Sequence, residues 1–177
     1  RRHTRSFHVT GVQTCALPIL HPGRSSEQPR VTVVVTCYQQ AHLVVDALES
    51  VARQTEPDIQ LIVTDDGSSD DSVEVINRWL ADNAHRIRWG TELLAAGSNR
   101  GLPASLNRAM PHIRGQYFVV LNGDDWMDDD RIEVQATALD NAPNDVGVSY
   151  CDMRVVDSNG AALDRKSTRL NSSHVKR

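Results

Sequence analysis

Short apolar runs alternate along this chain with longer segments in which apolar residues recur every three or four positions. The runs contain mostly Val, Ile and Leu without polar alternation, which is typical of strands buried on both faces of a parallel sheet. We predict strands at Val31–Cys37, Ile59–Thr64, Gln116–Leu121 and Val146–Cys151, with a weaker candidate at Arg86–Trp89.

Helices are predicted between these strands, where the apolar spacing is helical. Asp70 and Asp71 supply the N-cap residues of the second helix, and Pro103 suits the first turn of the third. The predicted helices are Ala41–Gln54, a segment after Asp71 that carries Ile76 and Trp79, Pro103 to about His112, and Asp130–Asn141. Strict alternation of strand and helix predicts an α/β protein with three layers, α/β/α, around a mainly parallel sheet.

Both ends of the chain can be traced to one DNA segment read on opposite strands. A back-translation of Ser6–Ile19 has a reverse complement that encodes Asp164–Arg177, residue for residue. That DNA resembles a sequencing adapter, so both tails, with the five residues before Ser6, are expected to lie outside the fold and to carry only incidental structure. A polar, turn-rich lead-in at residues 20–30 follows, which leaves residues 31–163 as the expected domain, truncated on its C-terminal side.

The expected domain is strongly acidic. The 177-residue chain has 19 Lys and Arg against 23 Asp and Glu, a formal net charge of −4, but eight of the basic residues and one acid lie in the tails. Residues 20–163 hold the remaining 11 basic and 22 acidic residues and so carry a charge of −11, which argues against nucleic acid as a partner.

Two cysteines of the expected domain, Cys37 and Cys151, lie in apolar runs. Buried cysteines of this kind indicate a reducing compartment more than a disulfide framework. No stretch of the sequence is long and apolar enough for a membrane segment. We therefore expect a cytoplasmic domain, with the inner face of a membrane as a further location for the full-length protein.

Carboxylates cluster directly after two of the predicted strands. Asp65 and Asp66 follow the second strand, and Asp124 and Asp125 follow the strand that ends at Leu121. Ligands of parallel α/β sheets bind outside the carboxyl ends of the strands, so both clusters are expected at one site. Carboxylates that converge there repel one another unless a cation or a hydrogen-bond donor balances them. A divalent metal with an anionic, nucleotide-like ligand would satisfy that requirement.

Four motifs occur in a fixed order and in the expected strand context. They are Val31–Tyr38, Val63–Asp70, Asn99–Asn107 and Leu121–Asp125. Together they resemble the amino-terminal, nucleotide-binding part of family 2 glycosyltransferases, which have the Rossmann-like GT-A fold, and the resemblance covers residues 31–163. It implies a nucleotide-diphosphate sugar donor, in particular a UDP-sugar, and Mg²⁺ or Mn²⁺ as cofactor. The sugar would be transferred to a hydroxyl of an unidentified glycan, lipid or protein acceptor, in the synthesis of a polysaccharide or cell-envelope glycan.

The resemblance assigns the nucleotide to the loops after the first two strands and to the loop before the third helix. Asp65 corresponds to the aspartate that accepts a hydrogen bond from the base, and Thr36 and Tyr38 would line the same pocket. Asp66 and Asn99 would also contact the nucleotide. Asp65, Asp66 and Asn99 have a local explanation as well, because Asp and Asn favour turns and caps through hydrogen bonds to nearby backbone.

The metal is assigned to the loop after the strand that ends at Leu121. Asp124 occupies the position of the metal ligand in the family's Asp-X-Asp motif, and Asp125 would support it. Asn122 stands where the family commonly has the first Asp of that motif. Its amide can face a ribose hydroxyl or a metal-bound water, but it contributes no charge. This departure implies either a lower metal affinity or a smaller role for the first position of the motif.

Other functions remain open at the level of sequence. A phosphoryl-transfer domain would need an aspartate directly after the first strand, where Thr36 and its neighbours stand. A nucleotidyltransferase would typically show a Gly-rich, basic loop there, and the sequence has none at that position. A noncatalytic nucleotide-sugar-binding module would show the same motifs as an enzyme and stays open. The family's catalytic base comes from a later segment, which we expect beyond Leu163. Asp152 and Asp157 are interpreted as surface or loop residues.

Overall fold

A four-stranded parallel sheet forms the centre of the molecule. The structure, a computed structural model, describes residues 27–143, 145–151 and 153–156, and the backbone of three terminal segments at 8–10, 17–18 and 174–176. The parallel strands are β1 (Val31–Cys37), β2 (Ile59–Asp65), β3 (Thr91–Ala95) and β4 (Tyr117–Asn122), in the spatial order β3-β2-β1-β4. Every residue of β1 and β2 is buried, as their unbroken apolar pattern predicted.

The register of the sheet aligns the carboxyl ends of its strands. Thr36 of β1 lies opposite Asn122 of β4, and Cys37 lies opposite Asp65 of β2. Asp65 in turn lies opposite Ala95 at the end of β3. The loops that follow β1, β2 and β4 therefore leave the sheet at one edge.

Helices cover both faces of the sheet, which confirms the predicted three-layer α/β/α architecture. The helices are α1 (Val44–Ala52), α2 (Ser72–Asn83), α3 (Leu102–Ala109) and α4 (Arg131–Asp140). The main hydrophobic core joins α1, α2 and α4 to one face through residues such as Leu48, Trp79 and Ile132. On the other face α3 packs Ala109 against Val34 and Ile62 in a smaller cluster. None of the described helices is both long and apolar enough to cross a membrane.

The weak strand prediction at Arg86–Trp89 is wrong. Ala84–Arg86 forms a 3₁₀ turn, and the edge strand β3 begins only at Thr91. Gly90 has φ of +88°, a conformation that favours glycine, and the Trp89 amide donates to Ile59 O at 3.1 Å before the parallel ladder starts. The paired residues of the parallel ladder therefore begin at Thr91, after this turn.

The last predicted strand is shorter than expected. Only Val148–Tyr150 is extended (β5), because the chain before it turns, with the Val146 amide donating to Pro143 O at 2.9 Å. A further short strand that the pattern did not predict, β6, spans Arg154–Val156. Asp152 and Asp157, which were interpreted as surface or loop residues, lie outside the described residues.

Short terminal segments pair with the edges of this fold, where the sequence predicted no strand. Leu17–Pro18 pairs antiparallel with β4, residues 8–10 pair with β6, and residues 174–176 pair with β5. An open strand edge presents unpaired backbone donors and acceptors that accept an extended segment of almost any sequence. These contacts involve two or three residues each, and most of both tails lies outside the described residues.

The end of the predicted lead-in is anchored to the fold. Arg30 forms a salt bridge with Glu56 and another with Asp140 of α4, the latter at 2.6 Å. The Tyr117 hydroxyl donates to the same Asp140 carboxylate at 2.7 Å. Arg30 thus belongs to the domain, because its guanidinium ties the start of β1 to α4; residues 19–26 lie outside the described residues.

Candidate functional site

Polar groups from three loops meet at the carboxyl edge of the sheet. The Thr36 hydroxyl donates to Asn122 Oδ1 at 3.2 Å, and the Gly123 amide donates to Thr36 O at 2.7 Å. The Asp66 amide donates to Cys37 O at 3.0 Å, which joins the loop after β2 to the end of β1. The register of β1 with its two neighbours brings these residues together, as the parallel topology predicted.

Asp65 is fully buried, and its carboxylate closes the turn after β2. Oδ1 accepts hydrogen bonds from the Gly67 and Ser68 amides at 3.0 and 2.9 Å, and Oδ2 accepts one from the Ser68 hydroxyl. These are the local bonds that Asp favours in turns. The predicted role in reading a nucleotide base stays a prediction, and it would have to share this carboxylate with the turn.

Asp66 holds the loop that leads into α3. Its carboxylate accepts hydrogen bonds from the Arg100 amide at 3.1 Å and from the Gly101 amide at 2.6 Å. Burial alone would raise the pKa of Asp66, but these amides and the nearby Arg108 guanidinium outweigh burial and hold the pKa below its ordinary value. Asp66 thus ties the loop before α3 to the end of β2, and its predicted contact with a nucleotide stays a prediction.

Asn99 lies on that loop with its side chain exposed. The loop packs so closely on the β2–α2 turn that a Cβ built on Gly67 would lie 2.5 Å from Ser98 C and 2.8 Å from the Asn99 amide nitrogen. Gly67 also has φ of +77°, so glycine is required there for two reasons. Asn99 is thus presented at the predicted edge by a closely packed backbone.

The loop after β1 is fixed by a side chain that sequence reasoning missed. Gln39 has φ of +56°, and its amide donates to Ser68 Oγ at 2.9 Å. Its side chain donates to Ser69 Oγ at 2.8 Å and accepts from the Asp70 amide at 3.0 Å. These hydrogen bonds fix the loop after β1. The neighbouring Tyr38 is 44% exposed beside the site, where its side chain can contact a ligand.

Helix capping at α2 differs from the prediction in its details. Asp71 occupies the N-cap position, but its side chain makes no capping hydrogen bond. Asp70 accepts bonds from the Ser72 amide at 3.1 Å and from the Ala41 amide at 3.1 Å. Burial would raise the pKa of Asp70, but the Ser72 hydroxyl and these amides lower it. Asp70 is therefore a link between two loops rather than a simple cap.

Asp124 and Asp125 follow Asn122 at the end of β4. Asp125 is only 2% exposed, and its Oδ2 accepts a long hydrogen bond, 3.4 Å, from Asn122 Nδ2. Its Oδ1 is buried with no hydrogen-bond partner. Burial and the adjacent Asp124 charge raise the pKa of Asp125 to about 7, against the opposing effects of Asn122 and Arg131.

A divalent cation fits this arrangement. A buried carboxylate oxygen without a partner is costly, and a cation at the two aspartates would supply both a ligand and a balancing charge. Within the described residues no group of three His, Cys, Asp or Glu side chains is arranged to hold a metal ion. Mg²⁺ nevertheless usually binds through only one or two protein carboxylates and takes its other ligands from water and substrate phosphates.

Arg108 of α3 is a second site residue that the sequence analysis missed. Its guanidinium donates to Asp65 O at 3.1 Å and to Leu94 O at 3.0 Å, across the ends of β2 and β3. Ser105 and Ala109 of α3 are buried, so Arg108 shares the helix face that is directed at the sheet. The helical spacing of Ser105, Arg108 and Ala109 was the signal available in the sequence. It identifies the helix face on which Arg108 lies, but not the carbonyl groups to which Arg108 donates.

Comparison with known proteins places this chain in a family. The model of the family described as Glycosyl transferase family 2 matches residues 32–175. Chondroitin synthase of Escherichia coli is 28% identical over 134 residues, 75% of this chain and 18% of the relative. Glycosyltransferase GlyA of Streptococcus pneumoniae serotype 4 is 31% identical over 104 residues, 59% of this chain and 14% of the relative. The chain thus spans less than a fifth of either relative.

Solved structures share the fold. The mannosyltransferase PcManGT from Pyrobaculum calidifontis, in complex with GDP-Man and Mn²⁺, is 28% identical with a TM-score of 0.59, over 69% of this chain and 35% of that one. S. aureus TarS 1-349 in complex with UDP-GlcNAc is 20% identical with a TM-score of 0.56, over 63% of this chain and 31% of that one. At that lower identity the likeness to TarS concerns the fold alone.

Proposed function

We propose that this chain, which belongs to glycosyl transferase family 2, holds the donor-binding site of an enzyme that transfers a sugar from a nucleotide-diphosphate donor to an acceptor hydroxyl. The observation that carries the proposal is the pair Asp124 and Asp125, with a buried oxygen of Asp125 that lacks a partner. The pair follows a strand whose end is bonded to Thr36, at the edge where Asn99 and Tyr38 are exposed. A metal-bound diphosphate at the aspartates and a nucleoside toward Tyr38 and Asn99 would use both groups.

The proposed metal is Mg²⁺ or Mn²⁺, held by Asp124 with Asp125 in support. Such an ion, when bound, neutralises charge that develops on the nucleotide diphosphate as it leaves. Asn122 accepts from Thr36 and donates to Asp125, so it orients a metal-supporting carboxylate instead of adding a third charge. Mn²⁺ in the complex of the similar mannosyltransferase supports the choice of a divalent ion.

The proposed donor is a UDP-sugar, with the base directed to Asp65. Support comes from the position of Asp65 at the end of β2, in register with the end of β1. The similar mannosyltransferase is described with GDP-Man, so guanosine is the competing base. No acceptor group or catalytic base is assigned among the described residues. We propose that the reaction is cytoplasmic, takes place at the inner face of a membrane in the full-length protein, and builds a polysaccharide or cell-envelope glycan. The catalytic base is proposed to lie outside residues 31–163.

Titration calorimetry of UDP and GDP with Mn²⁺, and again with excess chelator, tests the proposal. We expect Asp124→Ala to abolish the metal-dependent part of the affinity, because the ion loses a charged ligand. Asp128→Ala is the matched control, since it removes an exposed carboxylate from the same loop. Metal-dependent affinity that is equal in the wild type and in Asp124→Ala would contradict the metal site. A wild-type chain that binds neither nucleotide would contradict the function.

Metal-dependent hydrolysis of the donor separates an enzyme from a binding module. The described residues include no assigned base, and general base catalysis typically contributes a factor of about 10²–10⁴ to the rate. The chain as it stands is therefore proposed to bind the donor and to transfer the sugar slowly. Binding without any metal-dependent turnover would favour the noncatalytic sugar-nucleotide module.

A further inference from the structure

Gln39 has a backbone conformation that is unfavourable for a residue with a side chain. With φ of +56° it is, among the residues that the structure describes, the single non-glycine residue in the left-handed region. Glycine adopts that region without strain, so the reversal of the chain between β1 and α1 alone would favour glycine. Strained residues persist where the surrounding structure holds them, and they cluster at functional sites. The glutamine therefore has a role beyond the turn itself.

The side chain of Gln39 extends from the loop after β1 to the turn after β2. Its Nε2 donates to Ser69 Oγ at 2.8 Å, and its Oε1 accepts from the Asp70 amide at 3.0 Å. The backbone amide of Gln39 donates to Ser68 Oγ at 2.9 Å. Three hydrogen bonds thus join the two loops through one residue, and glycine could make only the backbone bond.

The backbone of Tyr38 lies between residues that are bonded to this turn. Before it, the Cys37 carbonyl accepts from the Asp66 amide at 3.0 Å, and after it comes Gln39. The Tyr38 amide donates a long hydrogen bond, 3.4 Å, to Gln40 Oε1. The Tyr38 side chain itself is exposed. An exposed aromatic ring on a backbone that is already ordered can contact a ligand at a lower cost in conformational entropy.

We infer that Gln39 is a positioning residue, which holds the Tyr38 ring where the nucleoside of the donor contacts it. This inference rests on the proposed function, because the position of Tyr38 matters only if a nucleotide binds beside it. The loop is ordered when the protein folds, so the nucleotide does not have to order it on binding. The strain at Gln39 accompanies this order, since glycine would relieve the strain but release the loop.

Titration calorimetry of the full chain with UDP or GDP and Mn²⁺ tests the inference through Gln39→Gly. That variant suits the left-handed backbone, so a role in the turn alone predicts unchanged nucleotide affinity. Positioning predicts an affinity weaker by about fivefold, because the nucleotide must then order the loop. The melting temperature should change by less than about 4 °C. Gln116→Ala, which truncates a glutamine at the opposite, amino end of β4, is the matched control and should change the affinity by less than about twofold.

A double substitution identifies the contact through which Gln39 acts. Tyr38→Ala alone should weaken binding by about tenfold, through the loss of an aromatic contact with the base. In that background Gln39→Gly should have an effect of less than about twofold, since both residues act through one contact. A general loss of stability would weaken binding equally with and without the Tyr38 ring. Ser69→Ala removes a partner of the Gln39 side chain without introducing a glycine, should weaken binding by about threefold, and replaces Gln39→Gly in the same cycle if that variant does not fold.

The outcomes distinguish this inference from the function on which it rests. If the wild type binds a nucleotide and Gln39→Gly binds it as tightly as Gln116→Ala does, positioning is overturned and the proposed function stands. The same holds if Tyr38→Ala leaves the affinity unchanged, or if the effect of Gln39→Gly is undiminished in the Tyr38→Ala background. If the wild type binds neither nucleotide, the proposed function fails and the inference fails with it.

Discussion

The carboxylate of Asp65 has an observed role in a turn, and the nucleotide-binding role proposed for it would compete with that role. The resemblance to family 2 glycosyltransferases assigns it to the nucleotide base, whereas the structure shows it bonded to the Gly67 and Ser68 amides and to the Ser68 hydroxyl. A carboxylate has about four lone-pair sites, so three bonds leave room for one more donor. A base N–H could use that site only if the turn opened slightly, because Asp65 is fully buried.

Asp65→Asn should separate these roles. It keeps an acceptor oxygen for the turn but loses the charge, so we expect a loss of roughly 1–2 kcal/mol in the free energy of unfolding. We also expect the preference for UDP over GDP to fall, because a charged acceptor for the uracil N–H is lost. Urea unfolding and competition calorimetry measure the two effects, with Asp71→Asn as the control for charge. A loss of stability with an unchanged base preference would leave Asp65 as a turn residue only.

Residue types could be read from the sequence, but several of their partners could not. The bond between Thr36 and Asn122 follows from strand register, so parallel topology brought those two residues together. The bonds of Asp66 to Arg100 and Gly101 depend on how closely two loops approach, and nothing in the local pattern encodes that distance. Gln39 was missed for the same reason, because its partners are about 30 positions away.

Buried elements were predicted better than edge elements. The predicted Val31–Cys37 strand has the same bounds in the structure, since both of its faces contact core residues and its pattern is unbroken. The edge strand β3 is half-exposed, so its sequence is less apolar and the prediction fell on the preceding turn. Helix ends were also less certain: α1 begins at Val44 rather than Ala41, because the Leu43 and Val44 amides both bond to Gln40 O in a turn.

The packing of the β2–α2 turn on the loop before α3 can be tested by comparing two glycines. Gly67 and Gly90 both have positive φ, but a Cβ on Gly67 would collide with the Ser98 backbone, whereas one on Gly90 would meet nothing within 4 Å. Gly90→Ala should therefore cost only the backbone strain, about 1 kcal/mol, and Gly67→Ala should cost that and the collision, roughly 2–4 kcal/mol. Chemical denaturation of both variants measures the difference. Equal losses would show that the two loops do not pack as described.

The charge of the whole domain shapes what its site requires. Residues 20–163 carry a formal charge of −11, and the ligand proposed for them is itself an anion. A long-range field of that sign opposes association, so affinity must come from short-range groups and from a cation that the ligand brings or shares. This is a physical reason to expect that nucleotide affinity depends strongly on the divalent metal, and that a chelator removes most of it.

The terminal segments provide the last prediction, because Leu17–Pro18 covers the outer edge of β4 by pairing with Phe118 and Tyr117. If the tails are adapter-derived, this contact is backbone pairing without selected side-chain packing. Deleting residues 1–26 should then change the free energy of unfolding by less than about 1 kcal/mol, the net contribution of one or two hydrogen bonds. The exposed β4 edge should increase concentration-dependent self-association, since an open edge accepts another strand.

Deletion of residues 1–16 is the matched control, because it shortens the tail but keeps Leu17–Pro18. Urea unfolding and sedimentation velocity over a range of concentrations distinguish the two truncations. Both deletions remove the segment 8–10 that pairs with β6, so the difference between them reports on the β4 edge alone, and the longer deletion should associate more than the shorter one. A loss of several kcal/mol on removing residues 1–26 would show instead that the tail packs as part of the fold. The domain would then include a segment whose sequence resembles translated adapter DNA.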